Sequence, residues 1–267
     1  MNASRVGAVV LRMAYLYRGS PQRVLPIFIF VAIDVLVWGF LTRYLNSVSH
    51  AGFNFVPALL GAVLLWDFLT RVMQQITMTL FEDVWTRNFL NFFASPLTTA
   101  EYLIGLLIVA IITSGLSLVA MLILAQIAFG LSFLSYGAAL APFLMVLFIT
   151  GIALGVAASA LVLRLGPASE WLIWPIPMMI SPFAGVFYPV TILPGWMQAV
   201  ALILPPSYVF EGMRSVVAGE PPPWDRLAIG GALALLYLVL ACMFFFATYR
   251  AVIRTGLIAR YSAETVT

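Results

Sequence analysis

Three polar side chains lie close together in a long apolar stretch of the sequence. Asp67 and Arg71 are four residues apart, and Gln74 follows about one helical turn later. A helix would place these side chains in a row on one face. If that helix crosses a membrane, a charge near its centre costs roughly 2.5–3.5 kcal/mol, so the row must face the protein interior or an aqueous cleft. Two interpretations remain open: an ion pair that only holds helices together, or the lining of a substrate path.

Three further charged residues accompany other apolar stretches. Asp34 stands alone in its stretch, and we expect it to have a partner on another helix rather than a role in transport. Glu211 and Arg214 are three residues apart, which lets them pair on one face of a short helix. We interpret that pair as a structural brace.

The basic residues exclude several kinds of catalysis. All thirteen are arginine, and the chain contains no lysine. A P-loop requires a lysine for the phosphates of its nucleotide, and a Schiff-base site requires one as well. The single histidine, His50, and the single cysteine, Cys242, make a metal site built on these residues implausible. We therefore predict no catalytic residues, metal or cofactor in this chain, no nucleic-acid partner, and a separate subunit for any ATP hydrolysis.

The composition determines which fold class these residues belong to. Apolar residues make up 63% of the chain and charged residues only 9%, whereas a soluble domain carries roughly 25% charge. A spanning helix needs roughly 20 mostly apolar residues. We predict an all-α integral membrane protein that forms one domain over residues 1–267, with six spanning helices at Val24–Leu45, Pro57–Phe81, Tyr102–Phe129, Ala138–Leu163, Trp171–Phe187 and Leu227–Tyr249.

The fifth of these spans is the least regular. Pro175, Pro177 and Pro182 interrupt it, and each proline removes a backbone donor and kinks a helix. A membrane tolerates such breaks only where protein or a water-filled cavity covers the freed carbonyls. Gly151 and Gly155 in the fourth span form a different pattern, a step of small residues that predicts close helix packing.

The arginines also predict the orientation. With the N-terminus inside, nine of the thirteen lie in cytoplasmic segments and three in outer segments. Because cytoplasmic loops are enriched in positive charge, we expect both termini in the cytoplasm. Residues 1–23 contain a short amphipathic segment with three arginines, which predicts a helix lying in the membrane interface.

The longest cytoplasmic connection, residues 82–100, combines a polar part with an aromatic part. Phe89, Phe92 and Phe93 lie in it, followed by Pro96. Thr98 and Glu101 match a capping box, so we expect a short helix before Pro96 and a new helix after Thr98. From the residues alone, the phenylalanines either enter the lipid interface or bind another protein.

The outer connection, residues 188–226, is rich in proline. Two apolar segments in it, Trp196–Leu204 and Tyr208–Val217, are too short to span a membrane. We predict a re-entrant or interfacial pair of short helices here. The alternative is a seventh, distorted span, which would move the C-terminus to the other side and reduce the arginine asymmetry.

Several short motifs occur in an order that resembles a known family. After the amphipathic N-terminus come the segments Ser95–Leu97, Gly185–Pro189, Ile192–Trp196, Leu204–Tyr208 and Glu211–Arg214. This order resembles the permease subunit of type-2 ABC exporters, the ABC-2 family, over nearly the whole chain. The most specific part of the resemblance is residues 181–217.

The resemblance implies a half-transporter in a bacterial inner membrane. Two copies of the permease would pair with two cytosolic ABC ATPase subunits, which bind the ATP and Mg²⁺, and membrane lipid would surround the assembly. The substrate would be amphipathic or lipid-linked: a glycolipid, a lipid-linked polysaccharide or a drug-like molecule. Two alternatives remain: a haem- or lipid-handling permease of similar build, and a non-transporting membrane scaffold.

The resemblance also assigns roles to residues. The second and fifth spans would line the substrate path, with Asp67, Arg71 and Gln74 on it. The coupling helix that contacts the ATPase would contain Arg87, Asn88, Phe89, Phe92 and Phe93. The re-entrant pair would form the outer gate with Trp196, Tyr208, Glu211 and Arg214.

Overall fold

The computed structural model describes residues 2–48, 56–85 and 95–255, and in these residues it contains helices and no strands. A single π-helical turn, Val56–Leu60, precedes α3, and 3₁₀ turns lie at Phe133–Ala139, Pro167–Ile173 and Val190–Ile192. The α-helices are α1 (Ala3–Gly19), α2 (Pro21–Val48), α3 (Gly61–Trp85), α4 (Thr99–Phe129), α5 (Leu140–Leu165), α6 (Pro175–Ile180), α7 (Gly195–Ala201), α8 (Pro205–Val217) and α9 (Trp224–Thr255).

Five helices of the described residues are long and apolar enough to cross a membrane. They cover Phe28–Val48, Val56–Phe81, Ala100–Phe129, Tyr136–Leu165 and Trp224–Thr255, and each coincides with one of the predicted spans. Within the predicted coupling loop, residues 82–100, positions 86–94 lie outside the described residues. These positions include all five predicted coupling residues: Arg87, Asn88, Phe89, Phe92 and Phe93.

The segment predicted as the fifth span, Trp171–Phe187, is not one continuous helix. It consists of the end of a 3₁₀ turn, the short helix α6 and a run of turns from Ser181 onward. Prolines 175, 177 and 182 provide the physical reason, because none of them can donate the backbone hydrogen bond that a helix needs. The count of six spans is therefore still a prediction, although the irregularity of this segment was expected.

Helix α5 is the centre of the bundle, packed mainly against α3 and α9. In its most apolar stretch 72% of the residues are buried, against 22% in α2 and in α9. Outer helices with exposed apolar side chains are what a surrounding lipid phase permits. The predicted N-terminal helix is α1, and it packs Val6, Val9 and Met13 inward with α4 as its main neighbour.

Two glycines of α5 allow its close contact with α3. A Cβ atom added at Gly151 would lie 2.8 Å from the carbonyl oxygen of Leu69, and one added at Gly155 would lie 2.8 Å from that of Met73. No side chain carbon fits at such distances from backbone atoms. The predicted close packing at this small-residue step is confirmed.

Replacing Gly155 with alanine is expected to destabilise the bundle by about 1–3 kcal/mol, because the new methyl group must push α3 away. The loss would be measured as a lower Tm of the detergent-solubilised protein. Gly115 of α4 is the matched control, because an added Cβ there meets no atom within 4 Å. Equal Tm values for Gly155→Ala and Gly115→Ala would contradict the packing argument.

Candidate functional site

Arg71 joins two membrane helices by binding two carboxylates. Its Nε donates to Asp67 Oδ2 at 2.6 Å within α3, and its Nη2 donates to Asp34 Oδ2 of α2 at 2.9 Å. The four-residue spacing brings Asp67 to Arg71, and the packing of α2 beside the bundle brings Asp34. The expectation that Asp34 has a partner on another helix is confirmed. We call Asp34, Asp67 and Arg71 the triad.

The triad is partly exposed, mainly through Asp34. The side chain of Arg71 is 13% exposed and that of Asp67 is 18% exposed, whereas that of Asp34 is 40% exposed. Helix α2 packs mainly against α4 and only slightly against α3, so the arginine bridges a gap between α2 and α3. Two carboxylates and one guanidinium leave a net charge of −1 when all three are ionised, and Asp34 is the more exposed of the two carboxylates.

Two glutamines, Gln74 and Gln75, follow the triad on α3. Below the triad, Gln75 accepts a hydrogen bond from the hydroxyl group of Tyr17 on α1, at 3.4 Å. Gln74 is partly buried and forms no hydrogen bond within the described residues. The structure thus places Asp67, Arg71 and Gln74 on the same helix, but only the first two form a connected group.

The end of the irregular fifth segment approaches the same gap. The ring of Phe187 stacks on that of Trp38, with centroids 5.6 Å apart and an interplanar angle of 15°. Trp38 lies one helical turn from Asp34 on α2. The gap beside the triad is therefore close to α2, α3 and residue 187.

At the end of the bundle where α8 lies, Glu211 fixes the turn that follows the fifth segment. Its Oε1 accepts hydrogen bonds from the backbone N–H of Val190, at 2.8 Å, and from Arg214 Nη2, at 2.7 Å. Gly185 begins this turn with a φ of 63°, and a Cβ there would lie 2.9 Å from Val190 Cγ2. The predicted Glu211–Arg214 pair is confirmed, and it connects α8 to residues 185–190.

The two aromatic residues predicted at the outer gate contact different parts of this region. Trp196 of α7 is 65% exposed and meets Phe183 edge to face. Tyr208 of α8 donates a hydrogen bond to the carbonyl oxygen of Leu202, at 2.7 Å. The described hydrogen bonds and ring contacts therefore connect Glu211 with Arg214 but do not join these two residues to Trp196 or Tyr208.

Replacing Glu211 with glutamine is expected to loosen the outer turn. The amide oxygen can still accept from Val190, but the charge-assisted bond to Arg214 is lost, and such bonds contribute about 1.5–3 kcal/mol. Faster hydrogen exchange at residues 185–192 would measure the effect. Asp225→Asn, an acidic residue in the first turn of α9 without an ion pair among the described residues, is the control. Unchanged exchange in Glu211→Gln would contradict the bracing role.

At the opposite end of the bundle, Glu101 holds α1 against the start of α4. Its Oε1 accepts from the N–H of Asn2 at 2.8 Å, and its Oε2 accepts from the N–H of Thr98 at 3.0 Å. Arg5 lies 3.6 Å from the same carboxylate and donates to the carbonyl oxygen of Pro96 at 2.6 Å. The predicted capping box of Thr98 and Glu101 is confirmed. The attachment of α1 through Glu101 is a feature that the sequence did not reveal.

The same side of the bundle carries the turn that follows α5. Arg164 near the end of α5 is exposed, and Glu170 lies in the next 3₁₀ turn. Partial burial raises the pKa of the Glu170 carboxyl group above its ordinary value. Among the described residues no group of three or more histidine, cysteine, aspartate or glutamate side chains could hold a metal ion.

The comparison with known families identifies the chain. Residues 39–249 match the family model described as an ABC-2 family transporter protein. That match covers more than half of the chain, from the second half of α2 into α9. The chain belongs to the ABC-2 transporter family. The resemblance deduced from the ordered motifs is confirmed. Comparison with the curated proteins finds no match.

The matched region of this ABC-2 permease contains Asp67, Arg71 and the whole outer region from Gly185 to Arg214. Asp34 and α1 lie before it. The contacts of Glu101 with Asn2 and Arg5, and that of Arg71 with Asp34, therefore join the matched region to the segment that precedes it.

Proposed function

We propose that this permease is the membrane half of an ATP-driven exporter. Two copies would assemble with two cytosolic ATPase subunits, and an amphipathic or lipid-linked substrate would move outward by alternating access. The observation that carries the proposal is the triad: a partly open, charged group that bridges α2 and α3 beside the broken fifth segment. Charges inside membrane helices are costly and generally mark a pathway or a relay.

The energy must come from another subunit. The chain contains no lysine and hence no P-loop. A partner can drive a conformational change only if it contacts the permease differently in two states. In our proposal the contact is the segment around Arg87, Asn88 and Phe89. This segment and both termini would lie in the cytoplasm, and the arginine distribution supports that orientation.

The proposed topology has six spans. The short helices α7 and α8 would then form an outer, re-entrant gate, with Trp196 and Tyr208 at its surface and the pair of Glu211 and Arg214 as its brace. The lengths of these helices support this assignment, because the seven residues of α7 and the thirteen of α8 are too few to cross a membrane.

The first experiment is native mass spectrometry of the permease purified with the ATPase encoded beside it. An assembly of two permeases and two ATPases, together with ATP-driven export by proteoliposomes, supports the proposal. A chain that purifies without the ATPase would contradict it and would favour a membrane scaffold.

Replacing Phe92 or Phe93 with alanine is expected to reduce that assembly or to uncouple ATP hydrolysis from export. Aromatic and arginine side chains dominate protein contacts, and each anchor contributes on the order of 2 kcal/mol. Phe30→Ala is the matched control, because Phe30 is exposed on the lipid side of α2. If the Phe92 and Phe93 variants assemble and export as well as Phe30→Ala, these rings do not form the contact.

A further inference from the structure

An apolar groove lies between α4 and α9, in the half of the bundle that carries α1. The floor of the groove is formed by Ile76 of α3 and Val156 of α5, and its volume is about 280 Å³. The first turns of α4 form one wall, and the second half of α9 forms the other. The lining side chains on both walls are mostly partly exposed, so the groove opens at the surface of the bundle that membrane surrounds.

The dimensions of the groove match a lipid chain in one leaflet. The wall residues Leu238 and Phe246 are eight residues apart on α9, about 12 Å at 1.5 Å per residue. The hydrocarbon core of a bilayer is about 30 Å thick, so one leaflet provides chains of comparable length.

Two arginines of α9 follow the groove residue Phe246 along the helix, at the end of the groove toward the C-terminus of α9. Arg250 follows Phe246 by one helical turn, and Arg254 follows by another; both side chains are exposed. Neither forms an ion pair within the described residues, whereas Arg5 on the opposite side is paired with Glu101. The arginines thus leave a positive charge at the level where lipid phosphates lie, and guanidinium groups bind phosphates strongly.

We propose that this groove binds one acyl chain of an anionic phospholipid from the leaflet on the α1 side, with the lipid phosphate held by Arg250. The aliphatic walls provide the affinity for the chain, and the unpaired arginine provides the preference for a net negative headgroup. The site shares no residue with the triad, so it is independent of the substrate path.

The test is native mass spectrometry of the purified permease titrated with dioleoylphosphatidylglycerol or dioleoylphosphatidylcholine. We expect one molecule of phosphatidylglycerol per chain, retained at concentrations where phosphatidylcholine is lost. Cys242→Phe fills the groove and is expected to weaken retention about tenfold, equivalent to losing the burial of roughly two methylene groups. Met243→Phe is the matched control, because Met243 is the next residue along the helix and is 63% exposed to the surroundings.

A second pair of variants tests the headgroup. Arg250→Gln is expected to remove the preference for phosphatidylglycerol, whereas Arg226→Gln, at the opposite end of α9, is expected to keep it. Equal retention by Cys242→Phe and Met243→Phe would overturn the proposed chain site. Equal retention of the two lipids by the unsubstituted protein would overturn the headgroup assignment.

One measurement needs no substitution. Cys242 is the only cysteine of the chain and forms part of the groove wall. Added phosphatidylglycerol is expected to slow its alkylation in detergent about tenfold, and phosphatidylcholine is expected to have little effect. Alkylation that is insensitive to phosphatidylglycerol would overturn the proposal even if the Cys242→Phe variant fails to fold. None of these readouts depends on export, so their failure would leave the proposed function untouched.

Discussion

Replacing Arg71 with methionine is expected to destabilise the permease severely. The substitution keeps much of the side-chain length but leaves Asp34 and Asp67 without their shared guanidinium, with two carboxylates directed at the same gap. Removing one partner from a fully buried ion pair costs about 3–5 kcal/mol, because the remaining charge is uncompensated; the loss here should be smaller, because the Asp34 side chain is 40% exposed. The loss would be measured as a lower Tm in detergent, relative to Arg164→Met at an exposed arginine of α5.

The triad offers a compensating variant that separates structure from transport. Combining Arg71→Met with Asp34→Asn and Asp67→Asn removes all three charges together, and replacing a whole buried ionic group is often neutral for stability. We expect the triple variant to regain most of the lost Tm but to export poorly, because the charged lining of the gap is gone. Full export by the triple variant would show that the triad only holds helices together. A Tm for Arg71→Met equal to that of Arg164→Met would contradict the structural link itself.

The parts of the triad differ in how far the sequence predicts them. The bond between Asp67 and Arg71 follows from their spacing, because residues four apart are neighbours on any helix. The bond to Asp34 spans 37 positions and depends on how two helices pack. A lone charge in an apolar helix signals that a partner exists, but several polar residues on other helices could have satisfied it.

In the proline-rich regions the sequence likewise predicts where helices break but not the contacts that hold the broken ends. The sequence predicts two short outer helices, but the first was expected at Trp196–Leu204 and ends at Ala201. Leu204 precedes Pro205, and a residue before proline disfavours helical conformation, so the last three positions turn instead. Prolines likewise predict the breaks in the fifth segment. The contacts that hold its end, from Glu211 to Val190 and from Trp38 to Phe187, depend on tertiary packing that no local pattern reports.

The sequence around Glu101 predicts only part of what this residue does. The capping box with Thr98 identifies a helix start, and the sequence shows that much. Its contacts with Asn2 and Arg5 join positions nearly a hundred residues apart. They bring α1 to Pro96, directly after the segment that we propose contacts the ATPase. If that segment moves, α1 and α4 would therefore move together, because the Glu101 carboxylate bonds to both.

Replacing Glu101 with alanine is expected to release α1. Two backbone N–H groups, of Asn2 and Thr98, lose a charged acceptor and turn to water, because both residues are exposed. Arg5 loses its ion pair at the same time. Amide exchange across residues 3–19 should then accelerate, by about tenfold for each 1.4 kcal/mol of attachment that is lost. In the assembly that we propose, ATP hydrolysis should continue while export falls, because α1 no longer follows the segment that would contact the ATPase.

Two further variants distinguish this attachment from simple helix capping. Thr98→Ala removes the hydroxyl group that accepts from the N–H of Glu101 at 3.3 Å but keeps every bond between Glu101 and α1. It should therefore destabilise the start of α4 by about 1 kcal/mol without accelerating exchange in α1. Arg5→Gln removes the ion pair but keeps the Asn2 contact, and its effect should lie between the other two. If Glu101→Ala and Thr98→Ala accelerate exchange in α1 equally, α1 responds to the start of α4 as a whole, and the carboxylate is not the link between them.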